Sequence, residues 1–321
     1  KIIFTDETVA GFWVEHLVTS IPALSKSEII QIPAGESFKT LEICEQIWGA
    51  LSDYEIGRND LILNLGGGVI TDMGGFIASL FKRGMRFINI PTTLLSQVDA
   101  SVGGKTGVDL GPFKNQIGVF ADADHVFINE EFLTTLSDEE LISGYAEMLK
   151  HGLISDAEHW NDLKSFVPLV RTNGIEFIQK SIQIKKAVVE KDHKEAGLRK
   201  TLNFGHTIGH AIEGYLLSNE IPTLHGYGVA WGILAESYIS FKQNLLSEAE
   251  YTEIKTHITK TYPAFTLDED CFEDLLKLMG NDKKNRSGQL QMVLLKGIGN
   301  AVYDQAVSDE EILSALRELK G

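Results

Sequence analysis

The sequence predicts two domains, an α/β unit over residues 1–136 and a mostly α-helical unit over residues 137–321. Three observations carry this prediction. A chain of 321 residues exceeds what one ordinary core sustains, and its 43% of hydrophobic residues suffices for two. Short apolar runs alternate with helical periodicity as far as Ile128. From Ser137 the pattern becomes helical almost throughout.

The elements follow in order. Ile29–Ile32 reads as a strand, Pro33–Glu36 as a loop and Lys39–Leu51 as a helix. Asp60–Leu65 is an apolar run suited to a buried parallel strand. Gly66-Gly67-Gly68 follows at once, and Val69–Leu80 reads as a helix. Strand, glycine turn and helix together bring bare N–H groups up to an anion. Thr71 stands where the dinucleotide fingerprint needs its third glycine, so a tight structural turn is the competing reading. The next strand, Phe87–Ile90, leads into the polar stretch Pro91–Asp99. Gly104-Lys105-Thr106 invites a phosphate-loop reading, but no glycine stands at the required first position, which argues against it. Val126–Ile128 is the last clear strand.

In the second half, Ser137 and Glu140 form a capping-box pattern before a helix that places Glu147 and Lys150 on one face. Phe177–Glu190 is amphipathic and carries Lys185. The stretch Arg199–Glu213 holds the densest chemistry. His206 and His210 are four residues apart, which stacks them on one helical face roughly 5–6 Å apart. Asn203 joins that face, and Arg199 lies at the helix start. The Glu of His-Glu-x-x-His is missing, so this is not the zinc-protease motif. Two histidines with structural hydrogen bonds are the plainer alternative. His225 is expected in a loop, Thr223–Gly226, before a further helix. Glu147, His206 and His225 could together ligate a divalent metal, while Glu147 and Lys150 could equally be an ordinary surface ion pair. A closing helix starts at Ser308.

Composition narrows the partners. A net charge of −16 argues against nucleic acid and anionic membranes, although a local cluster of Lys and Arg still admits an anionic substrate. Two cysteines, Cys44 and Cys271, make no disulfide framework. No run is apolar and long enough to span a bilayer, and no signal peptide opens the chain. The expectation is a soluble cytoplasmic protein.

The chain resembles the 3-dehydroquinate synthase family over nearly its whole length. The motifs are Gly66–Asp72, Pro91–Asp99 with Gly103-Gly104-Lys105, and Lys114-Asn115. Further on come Gly144–Glu147 with Lys150, Asp192 with Glu195 and Arg199, Asn203–Glu213, and Asp282-Lys283-Lys284. The resemblance implies a Rossmann-like NAD-binding domain and a helical metal domain. It also implies conversion of 3-deoxy-D-arabino-heptulosonate 7-phosphate into 3-dehydroquinate and phosphate in the shikimate pathway. NAD would be used and regenerated in each turnover.

By similarity, Glu147, His206 and His225 hold zinc, with cobalt as a substitute. Glu36, Lys39, Gly67, Gly68, Val69, Asp72, Thr92, Thr93, Lys114, Phe132 and Thr135 match cofactor-binding positions. Arg83, Asp99, Lys105, Asn115, Lys185, Arg199, Asn203 and one or both of Lys283 and Lys284 match substrate-binding positions. Glu195, His210 and Lys150 match the catalytic group. Arg83 resembles an arginine lent across a homodimer interface.

Two departures matter. His225-Gly226 continues as Tyr227-Gly228 where the family has Glu-Ala, which is expected to loosen the hydrogen bonding around the metal. Thr8 stands where Asn is usual, which puts an adenosine contact in question. The alternatives are another sugar-phosphate cyclase of this fold, making an inosose or valiolone, a metal-dependent polyol dehydrogenase, and a non-catalytic metabolite-binding protein. Lys185, Arg199 and Asn203 favour the dehydroquinate type, and intact Glu195 and His210 argue against the non-catalytic reading.

Overall fold

The computed structural model describes residues 1–111, 113–166, 171, 173–221, 223–281 and 290–320. Lys283 and Lys284 lie outside the described residues. The chain divides into two compact units. One is Lys1–Ser137 with Arg171–Ile175, and the other is Asp138–Val170 with Glu176–Gly321.

The first unit is built on a parallel sheet of order β2-β1-β3-β4-β7. Its strands are β1 (Ile2–Asp6), β2 (Glu28–Ile32), β3 (Leu61–Gly66), β4 (Arg86–Pro91) and β7 (His125–Val126). Alternate residues of each strand face opposite sides, so one sequence run feeds two cores. Ile2, Phe4, Ile30 and Ile62 pack under α3 (Leu41–Asp53) and α4 (Gly68–Leu80). Ile3, Leu63, Leu65 and Ile90 pack on the other side against Trp13, Val14 and Leu24. Trp13 and Val14 belong to a π-helical turn, Ala10–Val14, between α1 (Glu7–Val9) and α2 (Glu15–Ser20). Strand order reverses between β1 and β3, the place where open α/β sheets bind ligands, and the glycine turn opens α4 directly after β3.

Two expectations change here. The last strand of the sheet is β7, two residues long, rather than Val126–Ile128. An unexpected antiparallel hairpin, β5 (Lys105–Leu110) and β6 (Phe113–Phe120), packs on α4. Lys105 therefore begins a strand, and no helix N-terminus follows Gly104 as a phosphate loop requires.

Among the described residues, the second unit is helical except for the hairpin β8 (Leu290–Leu295) and β9 (Ala301–Val307), which the reading of the sequence missed. Its helices are α5 (Asp138–Ser155), α6 (Ala157–Ser165), α7 (Ile175–Lys191), α8 (His206–Ser218), α9 (His225–Lys242), α10 (Glu248–Thr261), α11 (Phe272–Asn281) and α12 (Asp309–Leu319). Helix α9 is central and packs against α5, α8, α10 and α12. Capping boxes open α10 (Ser247 with Glu250) and α12 (Ser308 with Glu311), the latter where the sequence placed the closing helix. Among the described residues, no helix is long and apolar enough to cross a membrane.

Candidate active site

Helix α8 starts later than its sequence suggests. Leu198–Asn203 form a separate 3-10 turn, and Gly205 at φ +79° breaks the chain before His206. A side chain is disfavoured at that φ, and a Cβ there would come within 2.7 Å of Ile233 Cγ1. Asn203 is therefore not on the histidine face. Instead its Nδ2 donates to Glu195 Oε1 at 2.6 Å. His225 is likewise not in a loop but is the first residue of α9.

Close helix packing brings the metal-type residues together. Gly226 donates its N–H to Ser143 Oγ at 3.0 Å, and a Cβ at Gly226 would come within 1.9 Å of the Ser143 carbonyl oxygen. This seats the start of α9 against α5, where Glu147 projects. Glu147 is wholly buried, and its carboxylate oxygens make no regular hydrogen bond. Lys150 Nζ faces Oε2, while His206 Nε2 and His225 Nε2 stand 3.3 Å and 3.4 Å from Oε1. His206 Nδ1 lies 3.0 Å from the Phe204 carbonyl, and His225 Nδ1 lies 3.0 Å from Glu213 Oε2. With both Nδ1 atoms engaged, both Nε2 atoms turn toward one carboxylate oxygen.

Burial opposes charge on Glu147, but Lys150 and His206 outweigh it and hold the carboxyl well below its usual pKa. Burial likewise opposes charge on His225, but Glu213 and Glu147 outweigh it and raise its pKa to about 10. A dication at these donors would compete with such protons. An isolated buried carboxylate is costly, and a dication among Oε1 and the two Nε2 atoms fits this donor set. Ring nitrogens of His206, His210 and His225 also lie within 4.8 Å of one another, so distance alone admits His210 as a fourth donor. His210 is exposed, its ring 5.0 Å from that of His206.

The anion-type residues of the second unit are also sheltered from solvent. Lys185 and Arg199 are buried. Asp192 organises the approach to Arg199 by accepting backbone N–H bonds from Ala196, Gly197 and Arg199 at 2.9, 2.7 and 3.0 Å. Arg199 Nη1 donates to the His193 carbonyl at 2.6 Å.

In the first unit, Gly67 is the N-cap of α4, and a Cβ there would come within 3.0 Å of Thr93 Cγ2. Lys39 is buried, and its Nζ lies 2.7 Å from both Asp72 Oδ2 and Asn115 Oδ1, with Glu36 Oε1 at 3.9 Å. Burial works against the Lys39 ammonium, but Asp72 and Glu36 more than offset it, and its pKa stands above the usual lysine value. Asn115, matched in sequence to substrate, here sits with Lys39 and Asp72 of the cofactor set. Thr92 is buried, and Thr93 Oγ1 accepts the Ser96 N–H at 3.1 Å. Phe132 packs edge-on to Trp13, whose Nε1 donates to Thr135 Oγ1 at 3.0 Å. Val69 lies in the first turn of α4 and Lys114 on β6. Asp99 lies in the Ser96–Ala100 π turn, and Arg83 ends the 3-10 turn after α4.

Two buried carboxylates escaped the reading of the sequence, Glu213 and Glu236. Glu213, on α8, places a carboxylate oxygen 3.0 Å from His225 Nδ1. Its spacing, three residues after His210 and seven after His206, was the available signal.

Two family descriptions match the chain, 3-dehydroquinate synthase N-terminal over residues 29–143 and 3-dehydroquinate synthase C-terminal over residues 144–285. The 3-dehydroquinate synthase of Parabacteroides distasonis is 44% identical over 304 residues, 94% of this chain and 86% of that protein. The chain belongs to the 3-dehydroquinate synthase family. The 3-dehydroquinate synthase of Campylobacter concisus is 41% identical over 318 residues, 99% of this chain and 91% of that protein. A solved 2-epi-5-epi-valiolone synthase from Streptomyces hygroscopicus subsp. jinggangensis, with NAD+ and Zn2+ bound, is 29% identical with a TM-score of 0.88. That likeness covers 99% of this chain and 90% of the neighbour.

Proposed function

We propose that the protein is a 3-dehydroquinate synthase that converts 3-deoxy-D-arabino-heptulosonate 7-phosphate into 3-dehydroquinate and phosphate. The observation that carries this reading is the convergence of His206 Nε2 and His225 Nε2 on the buried Glu147 carboxylate in a member of this family. Its cofactors are NAD and a divalent metal, Zn2+ first.

Glu147, His206 and His225 would hold the metal. When bound, the metal acidifies a substrate hydroxyl and NAD accepts and returns the hydride. Lys150 keeps Glu147 ionised, and Glu147 in turn keeps the Lys150 ammonium in place. Lys185 and Arg199 receive the anionic substrate, Arg199 with one nitrogen already fixed on His193. Glu195 is oriented by Asn203 and works with His210 in moving protons. A ketone formed in this way would make the adjacent C–H acidic, and the phosphate ester's own oxygens would accept that proton as phosphate leaves. The protein's task at that step is orientation. In the first unit, the N–H groups of Gly67, Gly68 and Val69 at the start of α4 suit the cofactor's pyrophosphate. Thr92, Thr93, Lys39, Asp72 and Lys114 complete that set.

The same reading has domains at 1–136 and 137–321, a cytoplasmic homodimer, and Arg83 contributed in trans to a phosphorylated sugar acid. Phosphate release from the heptulosonate phosphate, compared with the substrates of valiolone- and inosose-forming cyclases, tests the assignment. Preference for a substrate without a carboxylate would assign another cyclase activity.

A further inference from the structure

We infer that Glu213 is a positioning residue of the metal centre: it orients the His225 imidazole and fixes its tautomer, and Gly228 leaves the room this requires. The inference rests on His225 being a metal ligand. A neutral imidazole carries one N–H, and an ionised carboxylate can only accept. Glu213 Oε2 lies 3.0 Å from His225 Nδ1, so Nδ1 carries the proton and the lone pair falls on Nε2. That Nε2 lies 3.4 Å from Glu147 Oε1. His206 reaches the same arrangement through a different acceptor, the Phe204 carbonyl at 3.0 Å. Two imidazoles from two helices are thus held in one tautomer by unrelated partners.

Glu213 is buried on α8, while His225 opens α9, so the bond needs the two helices to pass at backbone distance. They do. A Cβ at Gly209 would come within 2.7 Å of the Gly228 carbonyl oxygen, and a Cβ at Gly228 would come within 2.8 Å of Glu213 Cγ. An alanine at 228 would therefore push directly on the stem of the carboxylate, three residues along the helix from the imidazole it orients.

The test uses the purified full chain, stripped of metal and titrated with Zn2+ against a chromogenic chelator, with the visible spectrum of the Co2+ form as a second readout. Urea unfolding of each metal-free variant separates loss of fold from loss of site. Glu213→Ala is expected to bind Zn2+ about 10–100-fold more weakly and to shift the Co2+ bands. Glu213→Gln should fall between, because an amide oxygen still accepts the Nδ1–H without the charge. Gly228→Ala should weaken Zn2+ binding in the otherwise native chain and have no effect in the Glu213→Ala background. If Glu213→Ala does not fold, Glu213→Gln and Gly228→Ala carry the comparison. Native affinity and spectrum in the Glu213 variants, with binding lost in His225→Ala, would overturn the inference alone. Native Zn2+ binding by His225→Ala would overturn the ligand reading and the inference with it.

Discussion

The carboxylate of Glu236 accepts the backbone N–H of Gly205 at 2.6 Å. Its other oxygen accepts the N–H of Ile208 at 3.2 Å, so the helix carrying His206 is capped by a side chain from α9. A carboxylate at a helix N-terminus also faces the positive end of the helix dipole. Glu236→Ala would leave two buried donors without their acceptor, at a cost of about 1–3 kcal/mol for each. Urea unfolding of the metal-free protein measures this. An unchanged midpoint would show that the cap contributes nothing to stability.

The three clustered histidines should divide their work. His206→Ala and His225→Ala are each expected to lose bound metal and activity together. Glu147→Gln should keep weak metal binding, because an amide oxygen still coordinates. His210→Ala should keep zinc and NAD but lose turnover by about 10²–10⁴-fold, the usual contribution of a general acid–base group. Metal content and rate measured on one sample decide this. Zinc lost from His210→Ala would make the exposed imidazole a ligand.

Away from the site, His159 gives the protein an acid-side weakness. It is buried, with Nε2 2.8 Å from Ser181 Oγ. Burial and the neighbouring His151 push its pKa down to about 4 from 6.5. The folded pKa lies below the unfolded one, so between these values the unfolded chain binds the extra proton. Stability from neutral His159 is thus fully present above about pH 6.5 and is lost as pH falls toward about 4. Chemical unfolding across this window should show a shallower pH slope in His159→Gln than in the native protein. Equal slopes would show that His159 does not titrate this way.

Arg83, at φ +66° in the turn after α4, should act across subunits. In the proposed homodimer, mixing inactive Arg83→Ala and His206→Ala proteins would give hybrids in which one of two composite sites is intact. Activity should return as subunits exchange. No recovery after confirmed exchange would place Arg83 outside the neighbour's site.

The sequence made regular, strongly apolar elements legible. Leu61–Gly66, Gly68–Leu80 and the Ser308-capped helix lie close to where their patterns put them. It concealed whatever depends on a single torsion or a distant partner. Helical spacing put Asn203 and His206 on one face, but Gly205 in a left-handed conformation separates them. The hairpin Lys105–Phe120 was hidden because glycines and polar residues blur its alternation. Glu213 and Glu236 read as ordinary helix carboxylates, and only the packing of α8 on α9 gives them partners.

The central claim is tested by following phosphate and reduced cofactor in one reaction with the heptulosonate phosphate. Phosphate should be released only when both NAD and divalent metal are present. Chelation should abolish it, Zn2+ or Co2+ should restore it, and NADH absorbance should stay flat as product forms. NADH rising in proportion to product would contradict the account and make the protein a dehydrogenase.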